Sequence, residues 1–454
     1  MNQKSFSLLL ALLLSACTLQ AQAPAADDTK PRNVILFISD GCGPASFTMA
    51  RDFQRVLFGD PDLTLDALQV GGVHTFASDS RVTDSAASAT AYACGVKTYN
   101  GAIGVDTLRQ PVATLVEAAE ARGLATGLVA TSRITHATPA AFAAHVPNRA
   151  MEGAIADQAL EQGIDVLMGG GWSFFVPADS GGSRTDARNL IREAGASGYQ
   201  VVLDREAFDK PLRAPVLALF TRDHMSYEID RDPAQEPSLA EMTTRAIDLL
   251  KGDPDGFFLM VEGSRIDHAA HGNDAAGHLH DIFAFDEAVA AALAFAQENG
   301  ETLIVSTSDH ETGGLTLGRD GVYDWHPERL ARVAHSSEKI SRLLAEGMAV
   351  EQVVHEELGI DDLTAEEDTS LAHVYAQKNG GALMAKLNDL VARRSGIAWT
   401  TGGHTAVDVN LYAYGPGSNR FAGSWDNTYL GLAIATLLDL DLQAVTETLR
   451  HGSH

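Results

Sequence analysis

Carboxylate and imidazole side chains follow a strand predicted at residues 257–261. The strand is an uninterrupted apolar run, and Glu262 comes directly after it. Asp267 and His271 are four residues apart, so a helical turn would place both side chains on one face. A carboxylate and an imidazole placed together can bind a divalent transition metal such as zinc. A solvated polar loop is the alternative interpretation of this segment.

The same arrangement, an apolar run beside residues that can bind metal, occurs three more times in the chain. The candidate ligands at these places are Asp40, Asp309, His310 and His404. The first three follow their apolar runs, whereas His404 precedes its run. Because an open α/β sheet binds ligands outside the carboxyl ends of its strands, we expect these side chains to form one site at one edge of a sheet.

Apolar runs that predict strands alternate with helical patterns along the chain. The predicted strands cover residues 33–39, 125–131, 166–169, 216–220, 257–261, 302–306 and 407–414. The helical patterns include residues 112–121, 151–161, 239–250 and 279–297. This alternation predicts an α/β fold with a large, mostly parallel central sheet and helices on both of its faces.

Residues 320–395 differ from the rest of the chain, because they contain several helical patterns and no predicted strand. The patterns cover residues 336–345, 349–358 and 382–393. We interpret this segment as a mainly helical insertion, a cap or an oligomer contact, within one catalytic domain at residues 33–450. The 454 residues are compatible with about three domains, but candidate ligands that extend from Asp40 to His404 favour a single sheet.

The chain is acidic, with a formal net charge of −27 and a sequence pI of about 4.8. This charge argues against nucleic-acid binding, which favours a basic surface. An anionic substrate would need a local cluster of cations to offset the overall field. No internal apolar run is long enough to span a bilayer.

The first 32 residues predict targeting rather than fold. Lys4 supplies positive charge, residues 8–14 are apolar, and Leu14-Ser15-Ala16-Cys17 resembles the lipidation signal of bacterial lipoproteins. We therefore expect a signal peptide at residues 1–17 that ends with Cys17 as the lipidated residue, and a flexible tether at residues 18–32. The expected location is the periplasm, with a lipid anchor in the membrane. An ordinary signal peptide with an incidental cysteine is the alternative.

The other two of the three cysteines, Cys42 and Cys94, flank the predicted site. A disulfide between them would be compatible with an oxidising compartment. Two buried free thiols are the favoured interpretation.

Ser85 is the candidate nucleophile. It opens an alanine-rich run that predicts a helix ending at Gly95, since glycine is a common C-cap. The free N–H groups and the dipole at a helix N-terminus favour an anion. Ser85 alone would more simply be an N-cap, but a neighbouring metal ion can activate a serine hydroxyl for attack. No Gly-x-Ser-x-Gly elbow surrounds Ser85, which disfavours a Ser-His-Asp triad.

These motifs and their order resemble those of the alkaline phosphatase family. The five motifs are Asp40-Gly41 after an Asn-Val-Ile-Leu strand, Asp84-Ser85-Ala86 before an alanine-rich helix, residues 261–271, residues 309–314, and Gly403-His404-Thr405. The resemblance extends from about residue 33 to about residue 416 and is weakest in residues 320–395.

The resemblance implies two zinc ions and one magnesium ion. The implied ligands are Asp267, His271 and His404 for the first zinc, Asp309, His310 and Asp40 for the second zinc, and Asp40, Glu262 and Thr138 for the magnesium. In the family, the first zinc holds the leaving-group oxygen and later activates water, and the second stabilises the alkoxide of the nucleophile. Two metals that clamp the apical oxygens suit an in-line displacement, and an oxygen shell suits magnesium.

The family also implies a covalent phosphoserine on Ser85 and a role for Arg149, whose guanidinium would bind two phosphate oxygens. His136 and His268 stand where the enteric bacterial enzymes carry Asp and Lys, and they match animal and some marine bacterial forms. This leaves the identity of the third metal open, and His268 would contact phosphate through water or bind metal weakly. The implied activity is hydrolysis of small phosphate monoesters to inorganic phosphate by a homodimer.

Two alternative functions stay open. A phosphodiesterase or sulfatase of the same superfamily is one, although Ser85 lacks the Cys/Ser-x-Pro-x-Arg context of a sulfatase and many diesterases use Thr as nucleophile. A non-catalytic lipoprotein that binds metal or phosphate is the other, and it gives no reason for a nucleophile at Ser85. Of the other histidines, His278 and His280 are predicted on a helix surface, and His224 has no predicted partner.

Overall fold

The computed structural model describes residues 29–59 and 62–451. The predicted signal peptide, Cys17 and most of the predicted tether lie outside these residues. The strands, numbered along the chain, are β1 (Asn33–Ile38), β2 (Gln69–His74), β3 (Ala125–Arg133), β4 (Val166–Gly170), β5 (Gln200–Val202), β6 (Val216–Leu219), β7 (Phe257–Glu262), β8 (Thr302–Thr307), β9 (Glu311–Thr312), β10 (Thr316–Leu317), β11 (Ile397–Ala398), β12 (His404–Thr405), β13 (Val409–Tyr414) and β14 (Gly423–Asp426).

Ten of these strands form one sheet, in the order β14-β2-β13-β8-β1-β7-β3-β4-β6-β5. Every neighbouring pair is parallel except the two that β13 makes with β8 and β2. The remaining strands form two small antiparallel pairs, β10 with β11 and β9 with β12. The predicted α/β fold with a large, mostly parallel sheet is therefore confirmed.

The helices surround this sheet. They are α1 (Pro44–Phe58), α2 (Ser85–Cys94), α3 (Leu115–Arg122), α4 (Ala137–Ala143), α5 (Glu152–Gln162), α6 (Leu190–Ala196), α7 (Arg205–Phe208), α8 (Leu239–Leu250), α9 (Arg265–His271), α10 (Ala275–Asn299), α11 (Pro327–Leu330), α12 (Ser337–Ala345), α13 (Val350–Gln352), α14 (Ala365–Ala376), α15 (Gly380–Ser395), α16 (Asn427–Leu437) and α17 (Leu442–His451).

The central strand β1 is buried on both of its faces. Ile35 and Phe37 belong to the core that α1, α8 and α10 cover, whereas Val34 and Leu36 belong to the core under α3, α5 and α16. Successive side chains of a strand point to opposite faces, so a strand covered on both sides requires the continuous apolar run that this sequence has.

Helix boundaries follow local signals in the sequence. Ser238 caps α8, because its hydroxyl accepts from the N–H of Glu241 while the Glu241 carboxylate accepts from the N–H of Ser238. Thr114 and Glu117 make the same reciprocal pair at α3. That helix ends at Gly123, whose left-handed φ of 91° is a conformation that glycine adopts without strain.

All seven predicted strands are present, but three strands of the sheet were not predicted. β2 contains two glycines, β5 has three residues, and β14 is the polar segment Gly-Ser-Trp-Asp, so none has the apolar run on which the prediction depended. The last predicted strand begins at Val409 instead of residue 407 and is antiparallel to its neighbours.

The described residues from 320 to 395 contain the helices α11 to α15 and no strand. The prediction of a single helix at residues 349–358 is wrong in detail, because α13 is followed by a π-helical turn at Val353–Glu357. The helix α14 was not predicted. Ile340 and Leu387 from this segment join the core on the α10 side of the sheet. The boundaries of an insertion stay a prediction.

Two further expectations concern cysteines and membrane spans. Cys42 and Cys94 are both buried free thiols, as predicted. Among the described residues, no single helix has the length and apolar composition to cross a membrane, although α16 and α17, bent by 101°, meet that criterion as a pair.

Gly71→Ala should destabilise the fold. A Cβ at Gly71 in β2 would lie 1.7 Å from the carbonyl oxygen of Gly423 in the adjacent β14, so the two strands would have to separate. We expect a loss on the order of 1–3 kcal/mol, measured as a lower thermal midpoint at fixed zinc and magnesium concentrations.

Gly153→Ala is the matched control, because a Cβ at Gly153 in α5 has no heavy atom within 4 Å. Alanine is the better helix former by about 1 kcal/mol, so this variant should be at least as stable as the wild type. Equal midpoints for Gly71→Ala and the wild type would contradict the close approach of β2 and β14.

Candidate active site

Strands β1, β7 and β8 bring candidate ligands to one edge of the sheet. β1 pairs in parallel with both neighbours, and its last residue Ile38 lies opposite Glu262 and Thr307. Asp40 and Asp309 each follow the end of their strand by two residues. The register therefore places Glu262, Asp40 and Asp309 side by side, as the positions after the strands predicted.

Gly41 allows this edge to pack closely. Its φ of +73° is in the left-handed region, and a Cβ there would lie 2.8 Å from the backbone and side chain of Asp267. Its N–H donates to Asp309 Oδ1 at 3.0 Å. Glycine after Asp40 thus permits two neighbouring segments that carry carboxylates to approach each other.

One cluster consists of Asp267, His271 and His404. Asp267 and His271 lie on the short helix α9, as their spacing predicted, with His271 Nε2 at 3.3 Å from Asp267 Oδ2. His404 lies in β12, and its Nε2 is 3.1 Å from His271 Nε2 and 3.7 Å from Asp267 Oδ1. One ligand atom from each residue lies within 4.8 Å of the other two.

A second cluster consists of Asp40, Asp309 and His310, which are all fully buried. His310 Nε2 lies 3.1 Å from Asp309 Oδ2 and 3.5 Å from Asp40 Oδ1. The His310 ring stacks on the ring of His404 with centroids 3.6 Å apart, so this cluster adjoins the first one.

Hydrogen bonds fix the tautomer of all three histidines in these clusters. His271 Nδ1 donates to the carbonyl of Gly402 at 2.7 Å, and His404 Nδ1 donates to the carbonyl of Thr83 at 2.9 Å. Thr312 Oγ1 donates to Asp267 Oδ1 at 2.6 Å, so it accepts from His310 Nδ1 at 3.2 Å.

Each neutral ring therefore presents the lone pair of Nε2 to the carboxylates. The facing Nε2 atoms of His271 and His404, 3.1 Å apart, need a proton or a cation between them. The hydrogen bond to Asp267 raises the pKa of His271 to about 9, so a bound cation would take the place of that proton. A divalent cation would satisfy this donor set.

A third cluster consists of Asp40, Glu262 and His136. Glu262 accepts from the hydroxyl of Ser264 at 2.6 Å. Thr138 lies in the first turn of α4, fully buried, and its hydroxyl contributes to lowering the pKa of Glu262, although burial has the larger and opposite effect. The structure thus brings together all the side chains assigned to the third site.

The carboxylates of these clusters repel one another. Burial raises the pKa of Asp40 well above its usual range, and the carboxylates of Asp309, Asp267 and Glu262 raise it further. Burial also raises the pKa of Glu262 to about 7. Among the described residues, both oxygens of Asp40, Oε1 of Glu262 and Oδ2 of Asp309 are buried without a hydrogen-bond partner. Buried charges of this kind are stable when they coordinate metal, so the donor set fits divalent cations.

Ser85 lies beside the second cluster. It is the first residue of α2 and is 2% exposed, and its Oγ lies 3.2 Å from His310 Nε2. The N-cap of α2 is Asp84, which accepts from the N–H of Ala87 at 3.0 Å. The capping role that Ser85 could have had therefore belongs to Asp84, and the Ser85 hydroxyl is available for chemistry.

Arg149 is held next to Ser85 through Asp84. Its Nη1 donates to Asp84 Oδ2 at 3.1 Å, and its Nη2 donates to His136 Nε2 at 3.1 Å. The Arg149 side chain is 28% exposed, and its backbone N–H donates to the carbonyl of Gly101 at 2.8 Å. A partly exposed guanidinium beside the buried carboxylates can bind an anion that enters from solvent.

Sequence reasoning missed several residues around the site. No role was predicted for the Asp84 side chain, which binds Arg149, and the Thr312 hydroxyl between two clusters has no signal in the sequence. The surface position predicted for His278 is wrong, since His278 is fully buried and bonded to Ile266 and Ser46. His280 is only partly exposed. His224, for which no partner was predicted, contacts Arg133.

Comparisons with known proteins agree with this geometry. The chain is 43% identical over 479 residues to the repressible alkaline phosphatase of Saccharomyces cerevisiae, covering 94% of this chain and 84% of the relative. It is 40% identical over 428 residues to alkaline phosphatase 3 of Bacillus subtilis, covering 91% of this chain and 90% of the relative.

Solved structures give the same result. The cold-active alkaline phosphatase of a Shewanella species has a TM-score of 0.82 and 35% identity, covering 89% of this chain and 99% of that one. The Thermus thermophilus alkaline phosphatase has a TM-score of 0.84 and 31% identity, covering 97% and 100%. A sequence model of the family described as Alkaline phosphatase matches residues 31–440, and the chain therefore belongs to the alkaline phosphatase family, a family of phosphate monoester hydrolases.

Proposed function

We propose that this protein hydrolyses phosphate monoesters through a covalent phosphoserine on Ser85, with two zinc ions and one magnesium ion. The observation that carries the proposal is the position of Ser85. Its hydroxyl lies 3.2 Å from His310 Nε2 at the start of a helix, between buried carboxylates and Arg149. A site that only binds metal or phosphate would need no such hydroxyl.

The metal assignments rest on the chemistry of each donor set. Asp267, His271 and His404, and likewise Asp309, His310 and Asp40, combine imidazole with carboxylate, which suits zinc. The oxygens of Asp40, Glu262 and Thr138 suit magnesium. The cations held there would supply Lewis acidity, which lowers the pKa of a nearby hydroxyl and neutralises charge on oxygen.

The residues of the chain then define two displacement steps. Ser85 Oγ forms a bond to phosphorus while the bond from phosphorus to the ester oxygen breaks, and the hydroxyl proton of Ser85 leaves with the alcohol. A water oxygen next forms a bond to phosphorus while the bond from phosphorus to Ser85 Oγ breaks, and a water proton restores the Ser85 hydroxyl as inorganic phosphate is released. Arg149 holds two phosphate oxygens through both steps, and Asp84 holds Arg149 in place.

The finer expectations about the third site, location and assembly belong to this proposal. His136 lies beside the oxygens of the magnesium site, and a nitrogen donor there leaves the metal preference of that site open. His268 contacts the phosphate through water or binds metal weakly. The protein acts outside the cytoplasm, in the periplasm, held by a lipid on Cys17, and it works as a homodimer.

Ser85→Ala should lower monoesterase activity by at least about 10³-fold, since binding contacts alone cannot replace a nucleophile that forms a covalent intermediate. Acid quenching with labelled inorganic phosphate should trap a phosphoserine in the wild type and none in the variant, while the metal content stays unchanged. Ser80→Ala, which removes a hydroxyl in the segment before α2, is the control and should keep full activity.

Undiminished turnover of a chromogenic phosphate monoester by Ser85→Ala would reject the nucleophile. The same assay with a phosphate diester and a sulfate ester separates the monoesterase from its alternatives in the superfamily. We expect the monoester to react fastest.

Arg149→Ala should weaken inhibition by inorganic phosphate by about 10- to 100-fold, the cost of losing a charge-assisted hydrogen bond to the anion. Arg149→Lys keeps the charge without the planar fork and should give an intermediate inhibition constant. A wild-type constant for Arg149→Ala would show that phosphate does not bind at this guanidinium.

Thr312→Val should weaken zinc binding by about 10- to 100-fold, because it removes the hydroxyl that orients both His310 and Asp267. Zinc retention during titration with a chelator measures the change, and activity lost to the chelator should return when zinc and magnesium are added. Thr312→Ser keeps the hydroxyl and should behave like the wild type. Identical chelator titrations for Val and Ser variants would contradict the orienting role.

A further inference from the structure

Three histidines from separate segments converge beside Arg149. His136 directly precedes α4, His268 lies in α9, and His224 lies in the loop after β6. The ring centroids of His224 and His268 are 4.4 Å apart, and each of these rings is 5.3 Å from the ring of His136. One ring nitrogen from each histidine lies within 4.8 Å of the other two.

We propose that His136, His224 and His268 form an additional binding site for a divalent transition metal ion such as zinc or cobalt. Three imidazoles are a donor set typical of such ions. Nitrogens up to 4.8 Å apart leave a centre about 2.8 Å from each one, so a movement of less than about 1 Å gives the 2.0–2.1 Å of a zinc–nitrogen bond.

Hydrogen bonds alone do not account for this cluster. The Nδ1 of His136 is buried without a partner among the described residues. His224 faces two donors, the backbone N–H of Arg133 at 3.3 Å from Nδ1 and the Arg133 guanidinium at 2.7 Å from Nε2. A neutral imidazole has one acceptor nitrogen, so it cannot accept both. A metal ion bound by these rings would coordinate ring nitrogens that lack a suitable hydrogen-bond partner.

The neighbouring guanidiniums do not make the cluster unfavourable for a cation, because each has carboxylate partners. Arg133 is paired with Glu152 at 2.8 Å and with Asp223 at 2.6 Å. The other two guanidiniums are paired as well, Arg149 with Asp84 and Arg265 with Glu338.

The formal charges of these three arginines and four carboxylates add up to −1. If a histidine nitrogen exchanged its hydrogen bond with an arginine for a bond to the metal ion, that arginine would still have its carboxylate partner. The charge around the cluster therefore tolerates a divalent ion.

His224 separates this site from the clusters at the sheet edge. His136 also belongs to the cluster with Asp40 and Glu262, whereas His224 belongs to the three-histidine group alone. A substitution at His224 therefore removes a ligand of the additional site and leaves the ligands of the other three clusters in place.

The test counts ions in the purified full chain after chelator treatment and reloading with zinc or cobalt. We expect His224→Gln to hold one ion fewer per chain than the wild type, with loss of one component of the cobalt absorption spectrum. Glutamine keeps an oxygen that accepts from Arg133, but it is a poor ligand for these metals. His224→Cys, which supplies a thiolate, should keep the wild-type ion content.

His326→Gln is the matched control, since the His326 side chain is 47% exposed and belongs to none of the metal groups in the described part of the chain. It should leave both the ion content and the spectrum unchanged. Equal ion content in His224→Gln and the wild type would overturn the proposal. If that equality came with weaker binding of inorganic phosphate, the cluster would be part of an anion site. Ion counting requires no turnover, so its result is independent of the proposed role of Ser85.

Discussion

The site depends on the close burial of four carboxylates, Asp40, Glu262, Asp267 and Asp309. Asp267 is 4% exposed and the other three are 0% exposed. Burial raises the pKa of Asp40, and repulsion from the other three carboxylates raises it further. An uncompensated buried charge costs several kcal/mol, and among the described residues both oxygens of Asp40, one of Glu262 and one of Asp309 have no hydrogen-bond partner. Divalent cations would remove this cost. Bound cations would therefore relieve the repulsion among these carboxylates and would stabilise the fold at the proposed site.

Parallel strands explain how carboxylates from distant parts of the chain are buried next to one another. Strands β7, β1 and β8 end at the same level, and the register between them is fixed by side chains that are buried on both faces. His404 is placed at the same edge by a different contact, the pairing of β12 with β9. Thr312 lies in β9. A shift of one strand by a single residue would move its carboxylate away from the others, so packing far from the site sets the distances within it.

The sequence predicted the parts of the molecule in which one chemical pattern determines one structure. Continuous apolar runs predicted β1, β7 and β8, and the polar residues after them predicted the edge that holds Asp40 and Asp309. It could not predict β2 or β14, whose pairing is a result of tertiary packing of short glycine-containing segments. Contacts between separate segments produce no periodic pattern in the sequence. Examples are the hydrogen bond from Arg149 to Asp84 and the close approach of the His224 and His268 rings.

The helical segment at residues 320–395 is bonded directly to the helix that carries site residues. Arg265 in α9 donates to His268 at 3.1 Å and pairs with Glu338 of α12, while its guanidinium lies over the ring of Tyr227. Asn388 of α15 donates to the carbonyl of Gly272 at the end of α9. The orientation of α9 is therefore set from both sides, by the sheet edge and by these helices. Because Asp267 and His271 lie on α9, a sequence change in the helical segment can shift the side chains of both residues without replacing either one.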